Sequence, residues 1–348
     1  MEYNTNTKMR RIFFILTLGS LALLLCSCDK GVQEDAEETI YVVSVGFNGD
    51  ISVKDEPLTK SGTPTNDLYG INVYYDINKD GNIAEKYAYG LFDNVGDMTI
   101  PLLSGHKYKF ECTLVKNGKT LLESSNIGRY GAPFGQILEN SFVLGNSISM
   151  SGIKSGASRM KGTTSDTETP RLDRYYGETT NYTPTDGGTV VINLFRTSFG
   201  AKFVVTGLAV DGTLTATCGE KNNDNNYYSG TDSRVKYWSL TTTENVEQDV
   251  IIYTFPDVYN CWLNKDSYSW VGYVRLSYDS NRGSLWDFAK SQSITWKRNT
   301  LTTVTINADP DLSGGPFSVT EEILGEENVI DVGINGDGVI EIIVEPNV

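Results

Sequence analysis

From residue 40 onward the chain never sustains a helical period. It is a succession of short runs in which β-branched and aromatic residues recur at every second position, among them "IYVVSVGF", "LYGINVYY", "KYKFECTLV", "TVVINLF", "AKFVVTGL", "DVIIYTF" and "TLTTVTIN". Gly, Asn, Asp and Ser punctuate them. A period of two sends successive side chains to opposite faces of a strand. Many short strands with turn signals between them specify a β-sandwich or barrel. The expectation is an all-β chain, and its 348 residues exceed what one core usually holds, which calls for two domains in tandem.

One stretch imitates a different structure. "DINKDGNI" at residues 76–83 places Asp76, Asn78, Asp80 and Gly81 at the spacing of a calcium-binding EF-hand loop. The twelfth position, where a bidentate Glu is needed, is Tyr87. The flanks alternate as strands, with Tyr69, Ile71, Val73 and Tyr75 before the loop and Ile83, Tyr87 and Leu91 after it. Asp80-Gly81 between two such runs is a hairpin turn signal, because Gly accepts the positive φ of the turn. The expectation is a hairpin without a metal.

The first residues are an address. Lys8, Arg10 and Arg11 precede a 14-residue apolar run from Ile12 to Leu25, shorter than the ~20 residues that span a bilayer. The run ends in "LCSC", which resembles a bacterial lipobox, with cleavage before Cys28 and acylation of that residue. Two or three acyl chains, at ~0.8 kcal/mol per buried CH₂, would hold the protein on a membrane almost permanently. The acidic "DKGVQEDAEE" that follows reads as a disordered tether over 28–39. It resembles the surface-export signal of Bacteroidota lipoproteins, which implies the outer face of the outer membrane.

Loss of residues 1–27 would change 29 basic and 44 acidic residues to 26 and 43, a net charge of −17. Such a surface repels phosphate backbones, so nucleic acid is not an expected partner. Three cysteines would then remain besides Cys28. Cys112 lies on a strand face with Tyr108, Phe110 and Leu114 and is expected as a buried, inert thiol. Cys218 and Cys261 could pair in an oxidising compartment, but spacing alone does not decide it.

Catalytic chemistry has little to work with. His106 is the only histidine and stands beside Gly105 in a turn, where a solvated ring is expected; a multi-His zinc site is impossible. "SGIK" at 151–154 matches the Ser-x-x-Lys of serine acyl-transferases but lies in a polar Ser/Gly/Thr stretch without strand or helix pattern. That stretch, 151–188, reads as loop and linker, with the domain boundary near 186. The expected partition is 40–185 and 186–348. No enzyme, cofactor or metal is expected. All five Trp (Trp238, Trp262, Trp270, Trp286 and Trp296) fall in the second half. Exposed, they would stack on sugar rings and make a surface polysaccharide-binding lipoprotein; in the core they would be ordinary sandwich packing, as expected for Trp270 and Trp296.

The order of these pieces is similar to that in fimbrillins of the Bacteroidales type, the type V pilin superfamily. The lipobox and acidic tether come first, then "LYGINVYYDINKDGNI", "MTIPLLSGHKYKF", a mid-chain "VINLFRTSFGAKFVV" and a late "ITWKRNTLTTVTIN". The resemblance implies two tandem transthyretin-like Greek-key β-sandwiches, lipoprotein export and assembly into adhesive surface fimbriae. It implies other fimbrial subunits, the outer membrane, and host or bacterial glycans or proteins as partners, and no catalytic residues. In the best-known members of that family an Arg-specific protease cuts after the first strand and opens a groove for the next subunit's strand; this chain has no Arg between Cys28 and Arg129. Either another protease cuts at Lys54 or Lys60, the basic residues of the early loop, or the subunit keeps its first strand and lipid as an anchor.

After "TLTTVTIN" the second sandwich reads as complete. The tail, about 325–348, reads as a two-stranded ribbon with Ile330, Val332 and Ile334 on one strand and Ile340, Ile342 and Val344 on the other. It could add edge strands to its own domain or, as the resemblance implies, insert into a neighbouring subunit as a donor strand.

Overall fold

The computed structural model of the protein describes residues 38–49, 65–124, 128–145, 148–150, 152–154, 172–208, 212–219, 236–255, 257–280, 288–307, 317–323, 331–334 and 340–343. Its first strands are β1 (Ile40–Gly49), β2 (Leu68–Tyr75), β3 (Glu85–Phe92), β4 (Thr99–Leu103), β5 (Tyr108–Val115), β6 (Glu123–Ser124), β7 (Arg129–Tyr130), β8 (Phe142–Leu144), β9 (Arg174–Tyr182) and β10 (Thr189–Arg196). The later ones are β11 (Ser198–Thr206), β12 (Gly212–Gly219), β13 (Lys236–Thr242), β14 (Val246–Thr254), β15 (Ser269–Ser280), β16 (Phe288–Lys297), β17 (Thr300–Asn307), β18 (Phe317–Ile323), β19 (Asp331–Ile334) and β20 (Ile340–Ile343). Two short helices, α1 (Gly118–Leu122) and α2 (Val258–Leu263), interrupt them. The all-β class follows.

The first sheet runs β4-β1-β10-β9-β5-β2-β3-β8. Between β9 and β10 its ladder shrinks to two pairs, Phe195 with Tyr176 and Arg196 with Tyr175. There the sheet turns a corner and closes on itself as two layers. Val43, Val45, Ile100, Leu102, Val190, Ile192 and Leu194 from one layer pack on Ile71, Val73, Phe92, Phe110, Cys112 and Leu114 from the other. The period-two pattern read from the sequence is what puts these residues on one face.

Two assignments move. Residues 174–182, expected as loop, are β9, a central strand whose first four residues are buried. Its polar second half hid the pattern: Glu178, Thr179 and Thr180 carry no apolar alternation, although Tyr and Thr suit a pleated surface. β10, expected to open the second half, instead lies in the first sheet beside β1 and β9. The chain crosses to the second sandwich at Thr197.

That second sandwich pairs the sheet β14-β11-β17-β18 with the sheet β13-β12-β15-β16. Phe199, Phe203, Val304 and Ile306 of the one meet Leu214, Ala216, Val274, Ile294 and Trp296 of the other. β18 extends the first of these sheets, so it is not complete at Asn307 as the sequence suggested; β17 pairs with β18 from Thr300–Ile323 to Ile306–Phe317. β19 and β20 pair with each other, Val332 opposite Ile342, as a sheet of their own.

Candidate functional site

β1 sits between β4 and β10. It runs antiparallel to β4, from Ile40–Leu103 to Ser44–Thr99, and parallel to β10, from Ser44–Thr189 to Gly49–Leu194. Val43, Val45 and Phe47 point into the core and are buried, while Ile40 and Val42 face outward, 62% and 59% exposed. Burial of three such side chains stabilises the strand by roughly 5–8 kcal/mol before chain entropy is counted. Gly49 ends the strand at φ +110°, where a Cβ would lie 2.2 Å from the Leu194 carbonyl oxygen; no other residue fits so close an approach. Lys54, Lys60 and Cys28 lie outside the described residues.

The outward face of β2, β5 and β9 is covered by residues 148–150 and 152–154, and the sheet's side chains bind their backbone. Asn72 donates to the Met150 carbonyl (2.9 Å) and accepts its N–H (3.0 Å). Thr113 Oγ1 donates to Ile153 O at 2.8 Å. Arg174, fully buried, donates to the carbonyls of Gly152 and Ile153; desolvation pulls its pKa down to about 9, which still leaves it cationic at neutral pH. Buried polar side chains thus take the place of a strand ladder. Glu111, 2% exposed, receives Lys109 at 2.9 Å and Lys154 at 2.6 Å, and Glu178 also meets Lys109 at 3.2 Å.

The same arrangement holds the Lys of the Ser-x-x-Lys match. Lys154 is committed to Glu111 at 2.6 Å and lies 4.7 Å from the ring centre of Tyr259; Ser151 lies outside the described residues. The aromatic residues of α2 are equally committed. Trp262 packs edge-on against Tyr176 at 5.6 Å, and Tyr259 stacks on Trp262 at 6.1 Å. Trp296 is buried and Trp270 faces it across the β15–β16 ladder, with the Trp270 ring over Gly272, where a Cβ would come within 2.6 Å of it. The side chains of Trp238 and Trp286 lie outside the described residues. Among the described tryptophans, packing is the role on view.

The EF-hand-like segment is the β2–β3 connection. Asp76 is buried, and its carboxylate accepts the Lys107 N–H at 2.5 Å while its backbone N–H donates to Lys107 O. Asp80 accepts from Asn82 N–H, and Gly81 supplies φ +84°. His106 is not solvated, as its turn position suggested: it is 4% exposed, with Nδ1 2.8 Å from the Asp76 carbonyl oxygen and its ring against Tyr75. The hairpin loop folds over the β4–β5 turn and covers the ring. Millimolar calcium is therefore expected to leave the melting temperature unchanged; a clear rise by calorimetry would show a native-state site.

Cys112 is buried and free, and burial raises its thiol pKa well above the usual value. Cys261 is likewise a free, buried thiol, 3.9 Å from the Thr197 carbonyl oxygen; the side chain of Cys218 lies outside the described residues. Sequence reasoning missed the joint between the sandwiches altogether. Asp173 receives Arg196 through Nε and Nη2, both at 2.9 Å, and Ser198 Oγ at 2.9 Å. Arg298 donates to the Arg196 carbonyl oxygen at 2.8 Å, and Thr254 Oγ1 to the Leu172 carbonyl oxygen at 2.6 Å. The forked Arg–carboxylate pair is the geometry that fixes orientation best.

No protein-family model matches the chain, and no curated protein matches it. Among solved structures it is similar to a fimbrial assembly protein from Parabacteroides distasonis, at 12% identity and a TM-score of 0.35 over 88% of this chain and 100% of the other. It is also similar to the tip fimbrial protein Mfa3 from Porphyromonas gingivalis with C-terminal truncation, at 10% identity and a TM-score of 0.31 over 82% of this chain and 99% of that one.

Proposed function

We propose that this chain is a non-enzymatic subunit or anchor of adhesive cell-surface fimbriae, exported as a lipoprotein through Cys28 and assembled by strand exchange. The observation that carries this reading is β1. It is the first of the described strands, it sits between two neighbours in a sandwich core, and it connects to β2 through the segment that holds Lys54 and Lys60. Cutting there leaves β1 held only by its ladders and by Val43, Val45 and Phe47. The slot it would vacate accepts a strand with apolar residues at every second position, the pattern of Ile340 and Ile342 in β20. The self-paired β19–β20 ribbon is the proposed donor, and other subunits are the partners.

Deletion of residues 325–348 tests this reading. A folded, exported monomer that no longer forms surface polymers is the expected result. Failure of the truncated chain to fold would assign the tail to its own core and end the donor reading. N-terminal sequencing of protein from cells then separates the roles: a start at acylated Cys28 belongs to an anchor, a start near residue 55 or 61 to a polymerising subunit.

A further inference from the structure

β4 is the edge of the first sheet, yet its backbone is not open. Successive residues of an edge strand alternate in presenting their N–H and C=O to the neighbour and to the outside. Pro101 and Leu103 present theirs to the outside, away from β1. Pro101 has no N–H, and its carbonyl oxygen accepts the Tyr87 hydroxyl at 2.7 Å. Leu103 N–H donates to the Tyr108 hydroxyl at 2.8 Å, and that hydroxyl returns a bond to Leu103 O at 3.2 Å. Tyr87 and Tyr108 belong to β3 and β5, the facing layer, and their rings meet edge-on at 5.2 Å. Tyr108 is fully buried.

We infer that Tyr87 and Tyr108 tie β4 to the facing layer independently of β1, closing its outer edge to strand addition and keeping it as a standing wall of the β1 slot. Unpaired edges invite pairing with other chains, and natural sheets blunt them with Pro or by covering them; here two hydroxyls do it from inside the sandwich. Of the outward-facing groups on β4, only those of Thr99 escape. An added strand on this flank is thereby directed to the position between β4 and β10. The edge closure stands without the strand-exchange proposal, whereas the wall role rests on it.

The test is amide hydrogen exchange, read by NMR, on the intact full chain and on Tyr108→Phe and Tyr87→Phe/Tyr108→Phe variants, which keep both rings. The Leu103 amide should exchange at least ~10-fold faster in either variant, since its acceptor is lost, while amides of the β2–β5 ladder keep their rates. An unchanged Leu103 rate overturns the inference. A second arm uses a chain with a protease recognition sequence placed within 51–64, cleaved and offered a fluorescent peptide of residues 40–49. Uptake by the otherwise wild-type chain, with at least ~10-fold weaker uptake by the double variant, supports the wall role; equal uptake by both overturns it. If neither takes the peptide, the strand-exchange reading and the wall role fall together, while the Leu103 rate still decides the edge.

Discussion

Gly177→Ala is expected to lower the melting temperature by roughly 6–12 °C, the equivalent of about 3 kcal/mol in a chain of this size. Gly177 lies on β9 opposite Cys112 of β5, at the corner where the first sheet folds over. A Cβ there would stand 2.1 Å from the Asn193 carbonyl oxygen and 2.9 Å from its carbon. Both are backbone atoms of β10, which cannot swing aside as a side chain tip would. The methyl group must push β10 off β9, at the place where only two residue pairs join the layers and where Arg196 reaches Asp173. Gly81→Ala is the contrast. Gly81 has open space around it and only its φ of +84° to lose, so the cost should be about 1 kcal/mol. Thermal melts of both variants by circular dichroism check the pair. If Gly177→Ala melts within about 2 °C of the parent, β9 and β10 are not packed as described.

Gly177 also marks how far the sequence could be read. Strands such as β1 and β10 bury one face, so their apolar residues fall at every second position and announce themselves. β9 is buried over its first four residues on both sides, under residues 148–150 and 152–154 on one and beside β10 on the other. That environment selects Arg174, Tyr175, Tyr176 and Gly177, each for a different reason, and leaves no alternation to detect. The corner, the Asp173–Arg196 fork and the tyrosine closure of β4 all join residues distant in the chain. Their partners are chosen by topology, which no local period encodes. His106 shows the same limit in one residue: a turn position predicted solvent, and a loop 30 residues upstream covers it. The candidate slot was half legible, since β1 and its alternating face were plain while its place between β4 and β10 was not.

Above about pH 8.5 the protein should lose stability, and above about pH 10 lose it steeply, because its buried thiols and tyrosines are held neutral. Burial raises the pKa of Cys112 and carries that of Cys261 to about 12. The same desolvation raises Tyr74 and Tyr268 to about 12, and Tyr69, Tyr108 and Tyr176 beyond the range in which a folded protein is handled. In the unfolded chain thiols ionise near ~8.5 and phenols near ~10, so the stabilisation from keeping them neutral is complete below those values. It is lost as pH rises from there toward each folded pKa. A deeply buried tyrosine then forfeits ~1.4 kcal/mol per pH unit, so Tyr69 and Tyr176 together remove on the order of 4 kcal/mol by about pH 11.5. Half-exposed Tyr74 and Tyr268 add less, since solvent screens them. Arg174 acts in the opposite sense, because its folded pKa is depressed and its burial cost is relieved above about 9; one guanidinium, which gives up its proton reluctantly, does not offset the rest. A domain stability of ~5–15 kcal/mol cannot absorb the sum for long. Melting temperature followed from pH 7 to 12, with phenolate absorbance recorded alongside, measures it. The expected record is a falling melting temperature and a burst of tyrosine ionisation that coincides with unfolding. A flat melting temperature, with all tyrosines titrating near ~10 in the folded protein, would mean that these hydroxyls are open to water.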